Sequence, residues 1–429
     1  MTLMLDLRDE NFEKRFVSFL NMKRETAPDV DEAVAGILRD VRTRGDTAVL
    51  EYTSRFDRLD LTPETMRVSE KEIAAAVKKC DKETRDALYL AAERIEAFHE
   101  KQLPESRMFS DETGALLGWR WTPVSAAGLY VPGGTAAYPS SVLMNAIPAR
   151  VAGVKRIVMV VPSPDGKINP LVLAAAECVG IDEIYRVGGA QAIAALAFGT
   201  ETIRPVDMIV GPGNAFVAAA KRQVFGKVGI DMIAGPSEIL VIADETARPD
   251  WVAADLLSQA EHDVSAQSIL ITDSPSLAEA VEKEVAAQIE TLSRKDIARQ
   301  SWENNGAVFI VENLEEQASV LTDRIAPEHL ELFVREPEEL CKRIHHAGSI
   351  FLGAHTPEAV GDYIGGPNHV LPTARSARFS SGLGVHTFMK RTTLLSCTSK
   401  TLEDIGQAAV LLGEAEGLTA HANSVRKRL

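Results

Sequence analysis

Three stretches in the middle of the chain share one pattern: Ile157-Val158-Met159-Val160-Val161 before Pro162-Ser163-Pro164-Asp165-Gly166, Ile184-Tyr185-Arg186-Val187 before Gly188-Gly189-Ala190-Gln191, and Met208-Ile209-Val210 before Gly211-Pro212-Gly213-Asn214. Each is a short β-branched run that stops at a tight turn and gives way to an Ala-rich helical segment, as from Pro170 to Val179 or through Lys221. Short β-rich runs alternating with Ala-rich helical stretches are the signature of βαβ units in a mostly parallel sheet. In an open sheet of this kind ligands are expected at the carboxyl ends of the strands.

Working outward, Ile239-Leu240-Val241-Ile242 opens a second α/β set. It continues with a helix from Trp251, the strand Ser268-Ile269-Leu270-Ile271, a helix from Leu277 to Leu292, and strands at Ala307–Val311 and Ser349–Leu352. Two α/β blocks therefore meet near residue 237. On the amino-terminal side, helical spacing of apolar residues predicts helices from Asp31 to about Asp57 and from Lys82 to Glu100. Phe12, Phe16, Phe19 and Leu20 form a further helical stripe with no strand signal beside it, either packed on its own domain or gripping a second subunit. The last fifty or so residues read as helix broken at Gly417, an appendage without strands.

The 429 residues allow two or three domains at about 150 residues each. Charged residues are 25% and the net charge is −15, a surface that disfavours nucleic acid and anionic membrane. No apolar run reaches the roughly 18 residues of a membrane span, and the acidic start lacks a signal-peptide pattern, so a cytoplasmic location is expected. Cys80, Cys178, Cys341 and Cys397 lie far apart, which removes a disulfide framework and a thiolate zinc finger. Any metal must take N and O ligands.

Local patterns offer several candidates and leave each open. Gly188-Gly189 and Gly211-Pro212-Gly213 precede helix N-termini, where free N–H groups and the helix dipole favour phosphate; neither is a full G-x-G-x-x-G, and either could be a plain strand-to-helix turn. The loop Tyr130-Val131-Pro132-Gly133-Gly134-Thr135 sets an aromatic ring beside flexible backbone. Gln259 and His262, three apart on one helix face, could share an ion or be a surface pair. Glu328 and His329 adjoin Pro327, where an irregular break could turn both into one pocket as acid and base, or leave a surface dipeptide. Asp362, His369, His386 and His421 are further candidates that spacing does not select among.

With these segments in view the chain resembles the histidinol dehydrogenases. The likeness rests on Gly128-Leu-Tyr-Val-Pro-Gly-Gly134, Tyr138-Pro-Ser-Ser-Val-Leu-Met144, Val187-Gly-Gly-Ala-Gln191, Val210-Gly-Pro-Gly-Asn214, Ala234-Gly-Pro-Ser-Glu238, Leu256-Leu-Ser-Gln-Ala-Glu-His262, Pro327-Glu-His-Leu-Glu331, Gly361-Asp-Tyr363, Asn368-His-Val-Leu-Pro-Thr373 and Glu416-Gly-Leu-Thr-Ala-His421. It implies two Rossmann-like, doubly wound α/β domains with helical arms. The expected division is an N-terminal arm over 1–25, a discontinuous first domain of 26–129 and 237–381 holding the metal and catalytic residues, an NAD-binding second domain over 130–236, and a C-terminal arm over 382–429.

The resemblance further implies oxidation of L-histidinol to L-histidine through L-histidinal with two NAD, the last step of histidine biosynthesis. One zinc ion per subunit would be held by Gln259, His262, Asp362 and His421. Glu328 and His329 would be the acid/base pair; Ser237, Gln259, His262, His329, Asp362, Glu416 and His421 would meet the substrate; and Tyr130, Gln191 and Asn214 would meet NAD. It also implies a homodimer whose C-terminal segment reaches into the partner's site. His386 stands where members of the family usually carry tyrosine or an apolar residue. Two alternatives are a zinc- and NAD-dependent dehydrogenase of another small polar alcohol, which Ser237 and Glu416 argue against, and a ligand-binding paralogue without activity, which the retained Glu328 and His329 argue against.

Overall fold

The computed structural model describes residues 2–22, 28–133, 138–233 and 235–429. Gly134 and Thr135 of the glycine loop, Ala234 of the Ala-Gly-Pro-Ser-Glu motif and the end of the expected N-terminal arm lie outside them. Two parallel sheets form the body. The five-stranded sheet runs Glu183–Tyr185, Arg156–Val160, Ala126–Tyr130, Met208–Val210, Gly229–Ile230; the six-stranded one runs Leu3–Asp6, Ala307–Ile310, Gln267–Thr272, Glu238–Ala243, His329–Phe333, Ser349–Leu352. Numbered along the chain, each contains the order 3-2-1-4-5, that of a doubly wound Rossmann sheet without its sixth strand, the second with an extra edge strand from the N-terminus. The expected fold class holds.

The expected grouping of segments does not. Val34, Ile37, Leu38 and Val41, from the helix Pro28–Arg44, pack with Val158, Val160 and Leu196 on one face of the five-stranded sheet; Ala91, Ala92 and Ile95, from Lys82–Glu100, pack with Leu143 and Ile147 on the other. Residues 28–129 thus join the block expected to stand alone as 130–236, and the boundary at 129/130 cuts the central strand Ala126–Tyr130. That strand is rich in small residues and gives little local signal. Its Gly128 is needed because a Cβ there would lie 2.9 Å from Leu196.

The N-terminal segment is not an arm either. Leu3–Asp6 pairs in parallel with Ala307–Ile310, and Phe12, Phe16 and Phe19 close on Phe309 edge-on, with centroids 5.4–6.4 Å apart. Of the two readings of the aromatic stripe, packing on its own domain is the one observed. The C-terminal segment carries a strand that was not expected. Met389–Ser396 runs antiparallel to Leu116–Pro123, which also pairs with Arg107–Ser110. Beyond it lie the helices Ser399–Ala415 and Thr419–Arg426, parted at Gly417. Gly417 has φ 74, the left-handed backbone that glycine adopts without strain. Among the described residues no helix is long and apolar enough to cross a membrane.

Candidate active site

A cleft of about 1070 Å³ opens between the two sheets, and the sheets present opposite edges to it. From the five-stranded sheet come Tyr130 and Gly211–Asn214, at the carboxyl ends of adjacent strands where the strand order reverses. From the six-stranded sheet come Ser237, Glu328 and His329, at or just before the amino ends of Glu238–Ala243 and His329–Phe333. The rule that ligands gather at the carboxyl edge therefore describes only one wall.

His329 and Glu328 are held by the neighbouring strand. His329 Nδ1 lies 3.0 Å from the Glu238 carbonyl oxygen, and Glu328 Oε2 accepts from the Glu238 amide at 2.9 Å. Because a carbonyl can only accept, Nδ1 carries a hydrogen, and Nε2 is the nitrogen left to exchange a proton. Nε2 is buried without a hydrogen-bond partner, 3.6 Å from Asp362 Oδ1 and 3.8 Å from Glu358 Oε1. Burial alone would lower the His329 pKa, but Glu328, Asp362 and Glu358 outweigh it and raise it to about 10. Burial pushes Glu328 up to about 8, with Asp362 adding to the rise and His329 opposing it. Asp362, despite burial, is lowered to about 2 by His329 and His369.

Gln259, on the last turn of the helix Pro249–Ala260, and His262, just past it, face this group across the cleft. Gln259 is fully buried and both atoms of its amide lack a partner, an arrangement that costs free energy unless something binds there. Burial lowers the His262 pKa, keeping the imidazole neutral as a metal ligand must be. Unpartnered Gln259, neutral His262 and the free Oδ1 of Asp362 are a donor set that fits a divalent cation such as zinc, which takes N and O ligands. The fourth expected ligand does not join them: His421 and Glu416 are exposed and line no part of the cleft.

On the far wall, Tyr130 and Asn214 border the cleft, whereas Gln191 is buried and does not. The Gly188-Gly189 turn is not open at its N-terminus, since the Gly189 amide donates to the Tyr130 hydroxyl at 3.2 Å. Asn214 caps its own helix by accepting from the amides of Phe216 and Val217 at 3.1 Å. His369 lines the cleft with Nδ1 2.9 Å from the Asp362 carbonyl oxygen, while His386 packs edge-on against Trp121. Glu358 was not singled out from the sequence. The available signal was its place four residues before Asp362, one turn away on the same helix face. With His329 and Asp362 it forms a cluster whose ligand atoms all lie within 4.8 Å of one another.

The family model for histidinol dehydrogenase matches residues 20–429. The chain belongs to the histidinol dehydrogenase family. It is 63% identical over 429 residues to the histidinol dehydrogenases of Bradyrhizobium diazoefficiens and Cereibacter sphaeroides, covering all of this chain and 99% of each of those. The crystal structure of histidinol dehydrogenase from Elizabethkingia anophelis superposes with a TM-score of 0.95 at 38% identity, over 100% of this chain and 98% of that one. The protein is thus an oxidoreductase of the histidinol dehydrogenase family, with Glu328 and His329 at the meeting point of its two sheets.

Proposed function

We propose that the enzyme oxidises L-histidinol to L-histidine through L-histidinal with two NAD, closing histidine biosynthesis. The observation that carries this reading is the unpartnered Nε2 of His329, 3.6 Å from Asp362 Oδ1, in a residue that lines one cleft together with Gln259, His262, Asp362, Tyr130 and Asn214. Zinc bound by Gln259, His262 and Asp362 would hold the amine and imidazole nitrogens of the substrate and offset the carboxylate charge that otherwise keeps His329 protonated. Neutral His329 then accepts the alcohol proton at Nε2 as hydride leaves for nicotinamide. Glu328, a stronger base than an ordinary carboxylate because it is buried, takes a proton from the water that adds to the aldehyde. A second hydride transfer gives the acid. Ser237, just before the strand Glu238–Ala243 and lining the cleft, would meet a polar end of the substrate.

Since one ligand is missing from the cleft, we further propose a homodimer in which His421 of the partner subunit completes the zinc set and Glu416 of the partner subunit meets the substrate. Both residues are exposed in the single chain, as that arrangement requires. On this reading Tyr130 and Asn214 would meet NAD from the cleft wall, while Gln191 lies buried behind it. All four cysteines are unpaired, which suits the reducing cytoplasm. The test is stoichiometric: purified enzyme with zinc, excess NAD and limiting L-histidinol is expected to form two NADH per substrate at alkaline pH. One NADH, or none, would sink this assignment.

A further inference from the structure

One buried ion pair at the cleft has no part in the chemistry above. Lys221, on the helix Ala215–Val224, and Asp231, just after the strand Gly229–Ile230, have side chains 2% and 1% exposed and pair directly. Both line the cleft. Between them they hold a single residue: Lys221 Nζ donates to the Gly211 carbonyl at 2.8 Å, and Asp231 Oδ2 accepts from the Gly211 amide at 2.8 Å. Asp231 Oδ1 also accepts from the Met232 amide at 2.6 Å. Gly211 has φ 110, and a Cβ added to it would run into the carbonyl oxygen of Tyr130. The ion pair therefore clamps the Gly211–Asn214 turn against the end of the strand that carries Tyr130.

Desolvating two charges is costly, and apolar residues of similar volume commonly stabilise a core as well as a buried pair does. Stability is a poor account of this pair, whereas fixing one turn to a few tenths of an ångström is something hydrogen-bonding charges do and apolar groups do not. We propose that Lys221 and Asp231 are a positioning pair for the cofactor: acting through Gly211, they set the distance between Tyr130 and Asn214 and so the width of the slot that receives NAD. This rests on the NAD reading of that wall.

Replacing either residue alone strands a buried charge, the Lys221 ammonium in Asp231→Asn, so that variant is paired with the double variant Lys221→Met/Asp231→Asn, which leaves no buried charge and serves even where the single variant does not fold. With zinc content and unfolding temperature measured alongside, both are expected to raise KM for NAD at least tenfold while KM for L-histidinol stays within about threefold. A purely structural role would lower the unfolding temperature and leave the two KM values in their original ratio, overturning the proposal. A normal KM for NAD in Asp231→Asn with a raised one in the double variant would mean that Lys221 touches the cofactor itself, which also overturns the paired role. Wild-type enzyme that reduces no NAD would remove the reading of the wall, and the proposal with it.

Discussion

The Glu238 carbonyl accepts from His329 Nδ1 at 3.0 Å, and this one bond decides which imidazole nitrogen can do chemistry. Glu238 also supplies its amide to Glu328, so a single residue at the head of one strand orients both members of the acid/base pair on the next. The two strands are neighbours in register, with His329 opposite Ile239. Parallel pairing at the centre of the sheet is what holds the pair rigid.

Replacing His329 by Asn is expected to lower kcat by about 10²–10⁴-fold, the worth of a positioned general base. The asparagine amide can still donate to the Glu238 carbonyl, and Gln259, His262 and Asp362 are untouched, so zinc measured by atomic absorption should remain bound. Loss of the metal would show that His329 belongs to the ligand set instead.

Glu328→Gln keeps an oxygen for the Glu238 amide but removes the carboxylate. The first oxidation should survive and the second fail, giving one NADH per site in a single-turnover experiment, with L-histidinal released or trapped. In the wild-type enzyme the second step needs Glu328 ionised. Its pKa lies near 8, so the rate of that step is expected to rise with pH through about 8, and this rise should be absent from the variant.

Much of the fold was legible because its central strands are buried on both faces: Glu238–Ala243 and Gln267–Thr272 are buried throughout and stand out as apolar runs. Ala126–Tyr130 is equally buried but built largely from Ala and Gly, and Leu116–Pro123 and Met389–Ser396 are half-exposed mixtures, so neither kind stands out. The grouping of segments escapes the sequence for a different reason. Which helix covers which sheet depends on contacts such as Val34 with Val158, more than a hundred residues apart, that no local pattern encodes. At the site, the Gln259/His262 spacing and the Glu328-His329 dipeptide were visible as candidates. Their convergence with Asp362 came from the family resemblance, and the fold brings them to one cleft; Glu358, lacking a motif of its own, was passed over.

Stripping the metal is expected to abolish NADH formation, with zinc restoring it, and to leave the protein folded. Gln259 sits on a helix packed against the six-stranded sheet and Asp362 on a short helix packed against that one, and the sheet's two apolar clusters do not depend on an ion. The unfolding temperature should therefore fall by no more than about 10 °C on chelation, the scale of a single bound ligand. Gln259→Ala should reproduce the loss of zinc without a chelator. Full activity after verified removal of metal would exclude zinc from the reaction.

Away from the cleft, His99 gives the fold an acid-sensitive joint. It is fully buried near the end of the helix Lys82–Glu100, with Nδ1 2.7 Å from the Ile95 carbonyl oxygen and Nε2 3.5 Å from the Asn368 amide nitrogen, which also donates to the Met144 carbonyl at 2.6 Å. Nδ1 donates and Nε2 accepts, so this geometry takes the neutral ring, and burial lowers the pKa below its usual 6.5. The unfolded chain therefore binds the proton first: stability contributed by His99 is complete above about pH 6.5 and is lost as the pH falls from there towards the folded-state value. His99→Gln keeps a donor and an acceptor but cannot titrate. The drop in unfolding temperature between pH 7 and pH 5 should be larger in the wild type than in this variant, a difference that cancels the opposite contribution of the buried carboxyls common to both. Equal drops would mean that His99 is not the joint.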